Sequence, residues 1–223
     1  MLSLFRSPKS KLVDQSLALK GRGTSILPEG RHLVLDVKLL AYNPNRALKE
    51  GLETLIVGMG CFWGTERLFW RESGVICTSV GYAGGYTPNP TYEEVCSGQT
   101  GHTEVVQIDY DPKQTTLKKL LKMFWESHDP TQGMRQGNDI GTQYRSALYW
   151  TQESQRSLIE DSVIHFETLL KDGDVPSSSG GAVSTELCRL EHYYYAESYH
   201  QQYLQANPNG YCGLKGTGVI CTL

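Results

Sequence analysis

The pattern of apolar and polar positions predicts alternating strands and helices along most of the chain. Short segments with apolar and β-branched residues, separated by loops, predict strands at about 54–58, 75–80, 103–110, 144–150 and 183–187. Helical spacing or character predicts helices at about 62–71, 115–127 and 153–170, and a last, polar helix at 194–205. This order predicts an α+β fold, a two-layer α/β sandwich with a ferredoxin-like core, in which helices pack on one face of a single sheet.

Two flanking segments lack this pattern. Residues 1–50 contain Pro8, Pro28 and Pro44 and are interpreted as an extended N-terminal arm, with a short strand at 33–35. Residues 207–223 are rich in glycine and cannot easily hold a regular element, so we expect a flexible C-terminal tail. The compact domain is therefore predicted at 51–206.

Composition and charge narrow the class of protein. A chain of 223 residues, 39% hydrophobic and 20% charged, suits one globular domain with extensions. A net charge of −3 gives no reason to expect nucleic acid as a partner, and no apolar run is long enough to span a membrane. A cytoplasmic monomer is expected, or a mitochondrial or other organellar protein if residues 1–31, with six Lys/Arg and two Asp/Glu, act as a transit peptide.

One of the six cysteines stands at a site suited to a reactive thiol. Cys61 follows a predicted strand and a glycine and opens a predicted helix, whose free amides favour a thiolate and lower its pKa. Phe62 and Trp63 can form an apolar wall beside the sulfur. The same residues also fit a buried free cysteine at a tight turn. None of the cysteines forms a CxxC pair or has zinc-finger spacing, so a metal site is not expected.

The tail carries two further cysteines, Cys212 and Cys221. A flexible tail can bring such thiols to an oxidised cysteine elsewhere, which is how resolving cysteines act. Two unrelated surface thiols are the alternative. No role follows for Cys77, Cys96 or Cys188.

Polar residues in or beside loops supply the other candidates. Glu104 opens a strand, and a carboxylic acid placed beside an aromatic pocket would stay neutral and could donate a proton. Tyr92 and Tyr144, at loop–strand junctions, can donate hydrogen bonds to a substrate oxygen. Asp139 can orient these groups or bind a polar substrate. Taken singly, each of these residues also fits a structural role.

Several long motifs occur together and in order. They are Gly60-Cys61-Phe62-Trp63-Gly64-Thr65-Glu66-Arg67, Gly81-Tyr82-Ala83-Gly84-Gly85 with Asn89-Pro90-Thr91-Tyr92, Val95 to Glu104, Gly137 to Ser146, Tyr195-Ala196-Glu197 with His200-Gln201-Gln202-Tyr203-Leu204, and Gly210-Tyr211-Cys212-Gly213. Over about 51–221 the chain resembles the A-type peptide methionine sulfoxide reductases. Lys215, which interrupts the usual glycine run of the tail, departs from the pattern.

The resemblance implies a role for each candidate. Cys61 attacks the sulfoxide sulfur of the S epimer, and Glu104 protonates the sulfoxide oxygen. Tyr92 and Tyr144 hold that oxygen, Asp139 supports the site, and Phe62 and Trp63 receive the S-methyl group. Cys212 and then Cys221 resolve the sulfenic acid left on Cys61.

The resemblance also implies the partners. The substrates would be proteins that contain methionine sulfoxide, and the free amino acid. Thioredoxin or another dithiol would be the reductant, with no bound cofactor, because thiols supply the electrons. A thiol peroxidase and a redox-regulated binding module are the rival functions.

Overall fold

The computed structural model describes residues 8–39, 51–173 and 182–223. The strands are β1 (Glu53–Met59), β2 (Val75–Ala83), β3 (Thr103–Tyr110), β4 (Arg135–Gln136), β5 (Asp139–Ile140), β6 (Ser146–Trp150), β7 (Glu186–Arg189) and β8 (Tyr193–Tyr195). The α-helices are α1 (Phe62–Phe69), α2 (Tyr92–Cys96), α3 (Leu117–Ser127), α4 (Glu153–Asp172) and α5 (Tyr203–Ala206). Short 3-10 helices lie at Pro8–Ser10, Gln15–Leu17, Thr142–Tyr144 and Ser198–His200.

The main sheet has six strands in the order β7-β6-β1-β3-β2-β8. Its four central strands, β6-β1-β3-β2, pair antiparallel throughout. In chain order they stand fourth, first, third and second, which is the arrangement of a ferredoxin-like core. The predicted α+β fold is therefore confirmed. The edge strand β7 runs parallel to β6 after the crossover through α4.

The core fills both faces of this sheet. On the helical face, Leu55 and Val57 pack in one apolar cluster with Leu121 and Phe124 of α3 and Phe166 of α4. These α3 residues fall on one side of the helix, as their spacing predicts. On the other face a smaller cluster contains Ile56, Val105, Ala147, Tyr149, Tyr193 and Tyr195. Because β1 is covered on both faces, its sequence reads as a nearly continuous apolar run.

Three local predictions are wrong. The helix expected at 194–205 is instead strand β8, a 3-10 turn and the short α5, since Tyr194 pairs with Tyr82 of β2 and Gln202 adopts a left-handed φ of 48°. The strand expected at 33–35 is a turn between Arg31 and Lys38. The loop predicted from 81 onward contains the end of β2 and the five-residue helix α2.

The two extensions lie against the domain where they are described. Part of the arm lies against the loop after α2, with the Leu19 amide donating to the Gln99 carbonyl at 3.0 Å. The tail contains no helix or strand, as expected. It nevertheless packs on α3, where the Cys221 amide donates to Glu126 Oε1 at 2.8 Å. Lys215 is exposed on this tail.

Candidate active site

The site is built around the junction of β1 and α1. Gly60 makes the turn with a φ of 87°, and a Cβ there would stand only 2.6 Å from Gln136 Cβ. Cys61 follows as the N-cap residue of α1 and is half-buried. A strand that ends in a glycine and feeds a helix therefore places the thiol at a helix N-terminus, as the sequence predicts.

The predicted lowering of the Cys61 pKa is wrong. Burial raises the pKa of the Cys61 thiol strongly, and the nearby Glu104 carboxyl raises it further. Hydrogen bonds from the amides of Trp63 and Gly64 lower the pKa, as expected at a helix start, but they do not offset burial. The resting cysteine is therefore a thiol rather than a thiolate.

Glu104 is a buried acid beside this thiol. It stands second in β3, is only 1% exposed, and its Oε2 accepts a hydrogen bond from the Phe62 amide at 3.1 Å. Burial raises its pKa from 4.5 to about 8, more than the Phe62 amide lowers it. The carboxyl is therefore mostly protonated at neutral pH. This excludes the alternative of an exposed strand-end carboxylate.

Two tyrosines from different short helices lie near enough to Glu104 to feel its charge. Tyr92 is the first residue of α2, and its amide donates to Glu197 Oε1 at 2.8 Å. Tyr144 ends the 3-10 turn before β6. Burial raises the pKa of both phenols, and the Glu104 charge raises it further. Both hydroxyls therefore stay protonated and can donate hydrogen bonds.

Asp139 lies at the edge of the site, toward the tail. It opens β5, and its Oδ2 accepts a hydrogen bond from the Tyr211 hydroxyl at 3.1 Å. Burial raises its pKa. This hydrogen bond ties the tail to the β4–β5 hairpin one residue before Cys212.

Aromatic rings form the apolar side of the site. Phe62 is buried, and Trp63 stacks on Tyr203 with ring centroids 4.0 Å apart. Trp63 Nε1 donates to His200 Nδ1 at 3.1 Å, and the His200 ring lies 5.1 Å from Phe62 and 4.4 Å from Tyr92. His200 and Tyr203 were assigned no role from the sequence. Their only signal was a place in one of the long motifs.

The tail cysteines occupy different places. Cys212 lies against the first turn of α1, since a Cβ built on Gly64 would stand 2.8 Å from Cys212 Sγ. Cys221 is buried beside α3, where Lys122 Nζ donates to its carbonyl at 2.5 Å. Cys61, Cys212 and Cys221 are all free thiols. Of the two tail cysteines, the structure thus brings Cys212 to the helix that begins at Cys61.

One more buried acid was not predicted. Glu66 of α1 is fully buried and accepts hydrogen bonds from the Gln202 amide at 2.8 Å, from the Gln202 side chain at 2.7 Å and from Thr78 Oγ1 at 3.1 Å. Burial raises its pKa to about 7 despite these bonds. Through Gln202 it holds the left-handed turn that precedes Tyr203.

The described residues contain neither a cluster suited to a metal ion nor a membrane-spanning helix. Within them, no group of three or more His, Cys, Asp or Glu side chains is placed to hold a metal ion. No helix among them is long and apolar enough to cross a membrane.

Comparison with known proteins identifies the family. The family model for peptide methionine sulfoxide reductase matches residues 53–219. The chain belongs to this family. The peptide methionine sulfoxide reductase MsrA of Vibrio cholerae is 54% identical over 95% of both chains. MsrA 1 of Caulobacter vibrioides is 52% identical over 100% of this chain and 97% of its own.

A solved structure agrees in fold. Methionine sulfoxide reductase A of Corynebacterium diphtheriae has a TM-score of 0.80 at 45% identity, covering 91% of this chain and 93% of its own. The chain is thus an oxidoreductase that reduces methionine sulfoxide. Residues predicted for this chemistry meet at one place: Cys61 and Glu104 with the two phenols, the aromatic wall, Asp139 and Cys212. Cys221 lies apart, beside α3.

Proposed function

We propose that this enzyme reduces the S epimer of methionine sulfoxide, in proteins and as the free amino acid, with Cys61 as nucleophile and Glu104 as acid. The observation that carries the proposal is the buried Glu104 carboxyl. Its pKa is raised to about 8, and it accepts a hydrogen bond from the amide of Phe62, the residue next to Cys61. A sulfoxide oxygen is a poor leaving group until it is protonated, so an acid that is neutral at pH 7 is what the reaction needs.

The reduction step follows from this arrangement. Glu104 gives its proton to the sulfoxide oxygen while Cys61 Sγ attacks the sulfoxide sulfur, and the Cys61 proton moves to the Glu104 carboxylate. The attack forms a bond between Cys61 Sγ and the methionine sulfur. The protonated oxygen then passes to Cys61 Sγ as its bond to the methionine sulfur breaks, and the bond between the two sulfurs breaks as methionine leaves. Cys61 becomes a sulfenic acid. The thiol supplies both electrons, so the step requires no further reductant.

The raised pKa of Cys61 suits this sequence of events. Burial holds the Cys61 thiol protonated at rest. Glu104 is itself mostly protonated at neutral pH, so it adds little negative charge beside the sulfur. A bound sulfoxide, polarised toward its oxygen, presents a partly positive sulfur, which stabilises the developing thiolate only when substrate is bound. Tyr92 and Tyr144 donate to the oxygen, and Phe62 and Trp63 enclose the methyl group.

Recycling uses the tail. The Cys212 thiol condenses with the Cys61 sulfenic acid, which forms a disulfide and releases water. Cys221 then attacks Cys212, which frees Cys61 and leaves a Cys212–Cys221 disulfide for thioredoxin or another dithiol. The position of Cys212 beside Gly64 supports the first step. The second requires Cys221 to leave its buried place beside α3.

The remaining assignments stay predictions. We propose that no bound cofactor takes part, because each step balances with thiols alone. Oxidised proteins and free methionine sulfoxide are the proposed substrates. A monomer in the cytoplasm is the proposed state, with an organelle as the alternative.

The test is single-turnover reduction of S- and R-methionine sulfoxide by the reduced protein, without added reductant. The wild type should form about two methionines per enzyme from the S epimer, since Cys212 and Cys221 return Cys61 to a thiol once. Cys212→Ser combined with Cys221→Ser should stop near one. Cys188→Ser, a change in β7, is the matched control and should behave as the wild type. No methionine from either epimer would refute the proposal and leave the thiol peroxidase as the next candidate, tested with peroxide.

A further inference from the structure

The N-terminal arm crosses the segment that carries Tyr92. The Arg22 amide donates to the Pro88 carbonyl at 3.1 Å, and Thr87 Oγ1 donates to the Leu19 carbonyl at 2.8 Å. At Gly21, whose φ is +63°, a Cβ would overlap the Pro88 carbonyl, so the two backbones touch there. The arm and this loop are therefore in direct backbone contact rather than merely adjacent.

Arg22 makes the most specific contacts of this crossing. Its guanidinium donates to the Asn89 carbonyl at 2.8 Å and to Glu94 Oε1 at 2.7 Å. Asn89 Nδ2 donates back to the Arg22 carbonyl at 2.7 Å. Asn89 itself has a left-handed φ of 48°. The guanidinium of Arg22 thus binds the Asn89 turn and the Glu94 carboxylate at the same time.

The carboxylate that Arg22 binds is the one that caps α2. Glu94 Oε2 accepts the Thr91 amide at 2.9 Å, and Thr91 Oγ1 accepts the Glu94 amide at 3.3 Å, which together form a capping box. The helix has five residues, and a helix this short has little stability of its own. Its first residue, Tyr92, is therefore positioned by its end contacts: Arg22 through Glu94, and Glu197 through the Tyr92 amide.

From these contacts we infer that Arg22 is a positioning residue for the reduction step, which acts through Asn89 and Glu94 to hold the Tyr92 hydroxyl at the sulfoxide oxygen. The inference rests on the proposed role of Tyr92. A hydrogen bond to the oxygen strengthens as negative charge develops there, so loss of its alignment slows the chemical step more than it weakens substrate binding.

The experiment measures the rate constant of methionine formation in one turnover, with Cys212→Ser and Cys221→Ser present in every protein. Arg22→Ala should lower that rate constant about tenfold and raise much less the substrate concentration that gives half the maximal rate, since misplacement of a catalytic group by a fraction of an ångström is costly. Arg22→Lys, which cannot reach both acceptors as a fork, should recover only part of the rate.

A double-mutant cycle separates positioning from general stability. If Arg22 acts through the Tyr92 hydroxyl, Arg22→Ala should cost at most about twofold in a protein that already carries Tyr92→Phe. Glu94→Gln keeps the capping geometry but removes the charge, and should lower the rate in the same direction. Glu94→Gln also tests the inference if Arg22→Ala does not fold. Arg31→Ala, which removes an exposed arm ion pair with Asp36, is the matched control and should leave the rate unchanged.

The outcomes are distinguishable. A rate within twofold of the parent for both Arg22→Ala and Glu94→Gln would overturn the inference while the proposed function stands. If Arg22→Ala lowered the rate by the same factor in the parent and in the Tyr92→Phe protein, the inference would also be overturned, because the effect would not depend on the Tyr92 hydroxyl. A Tyr92→Phe protein that reacts at the parent rate would overturn the role of Tyr92 and the inference together.

Discussion

Glu104 should set the alkaline limit of the reduction step. With a pKa of about 8, the buried carboxyl is about nine-tenths protonated at pH 7 and about one-tenth at pH 9. Only the protonated form can give a proton to the sulfoxide oxygen. The rate constant for the first methionine should therefore be level below pH 7 and fall about tenfold from pH 7 to pH 9.

Glu104→Gln supplies the test. The amide can still accept the Phe62 hydrogen bond but cannot donate a proton in this pH range, so the rate should fall about 10²- to 10⁴-fold and lose its alkaline limb. Rapid-quench measurement of methionine from the S epimer between pH 6 and 9.5 gives both profiles. A wild-type rate that rises through pH 8 would refute the reasoning, because it would show that deprotonation of Cys61 limits the step.

The same carboxyl has a consequence for folding. Its folded pKa is raised from 4.5 to about 8, so between those values the folded protein keeps a proton that the unfolded chain releases. Stability should fall as pH rises through this window, by a limit of about 5 kcal/mol above pH 8. Denaturant unfolding at pH 4.5 and 8.5 should show this loss in the wild type, beyond whatever loss Glu104→Gln also shows. Equal pH dependence in the two proteins would contradict the raised pKa.

Two further changes should separate the steps of the cycle. Gly64→Ala places a methyl group 2.8 Å from Cys212 Sγ, which must then move away. The first methionine should therefore form at a near-normal rate while disulfide formation slows; equal slowing of both steps would contradict the docking of Cys212. Tyr203→Ala removes the ring stacked on Trp63 and should lower kcat/KM roughly fivefold, corresponding to about 1 kcal/mol, as measured by steady-state assays with dithiothreitol. An unchanged kcat/KM would show that Trp63 holds its place without this contact.

Much of the fold and some of the chemistry follow from local sequence. Strand β3 was predicted at its observed bounds, Thr103–Tyr110, because a glycine-containing loop precedes it and Asp111-Pro112 ends it. Cys61 was placed at a helix N-terminus because a strand, a glycine and a helix succeed one another in the chain. These features depend on residues close together in sequence, for which periodicity and turn chemistry are direct signals.

Contacts between distant residues decided the rest. The pKa of Cys61 depends on how deeply the fold buries it and on Glu104, 43 positions away, and that outcome reversed the local expectation. The sequence of 194–205 was interpreted as a polar helix. In the structure, Tyr194 pairs with β2, and Glu66 accepts a hydrogen bond from the amide of Gln202, which adopts a left-handed conformation. Desolvation and pairing partners are properties of the assembled fold, so only the tertiary structure could determine them.

The extensions show the same division. Within the described residues, neither extension contains a long helix or strand, which agrees with their proline and glycine content, because these residues act locally on the backbone. Where those segments lie was decided by partners elsewhere: Glu94 for Arg22 in the arm, and Glu126 for the Cys221 amide in the tail. The sequence alone thus determined the reactive groups and most regular elements, while tertiary packing decided which groups meet and in what protonation state, since both depend on burial that no local pattern records.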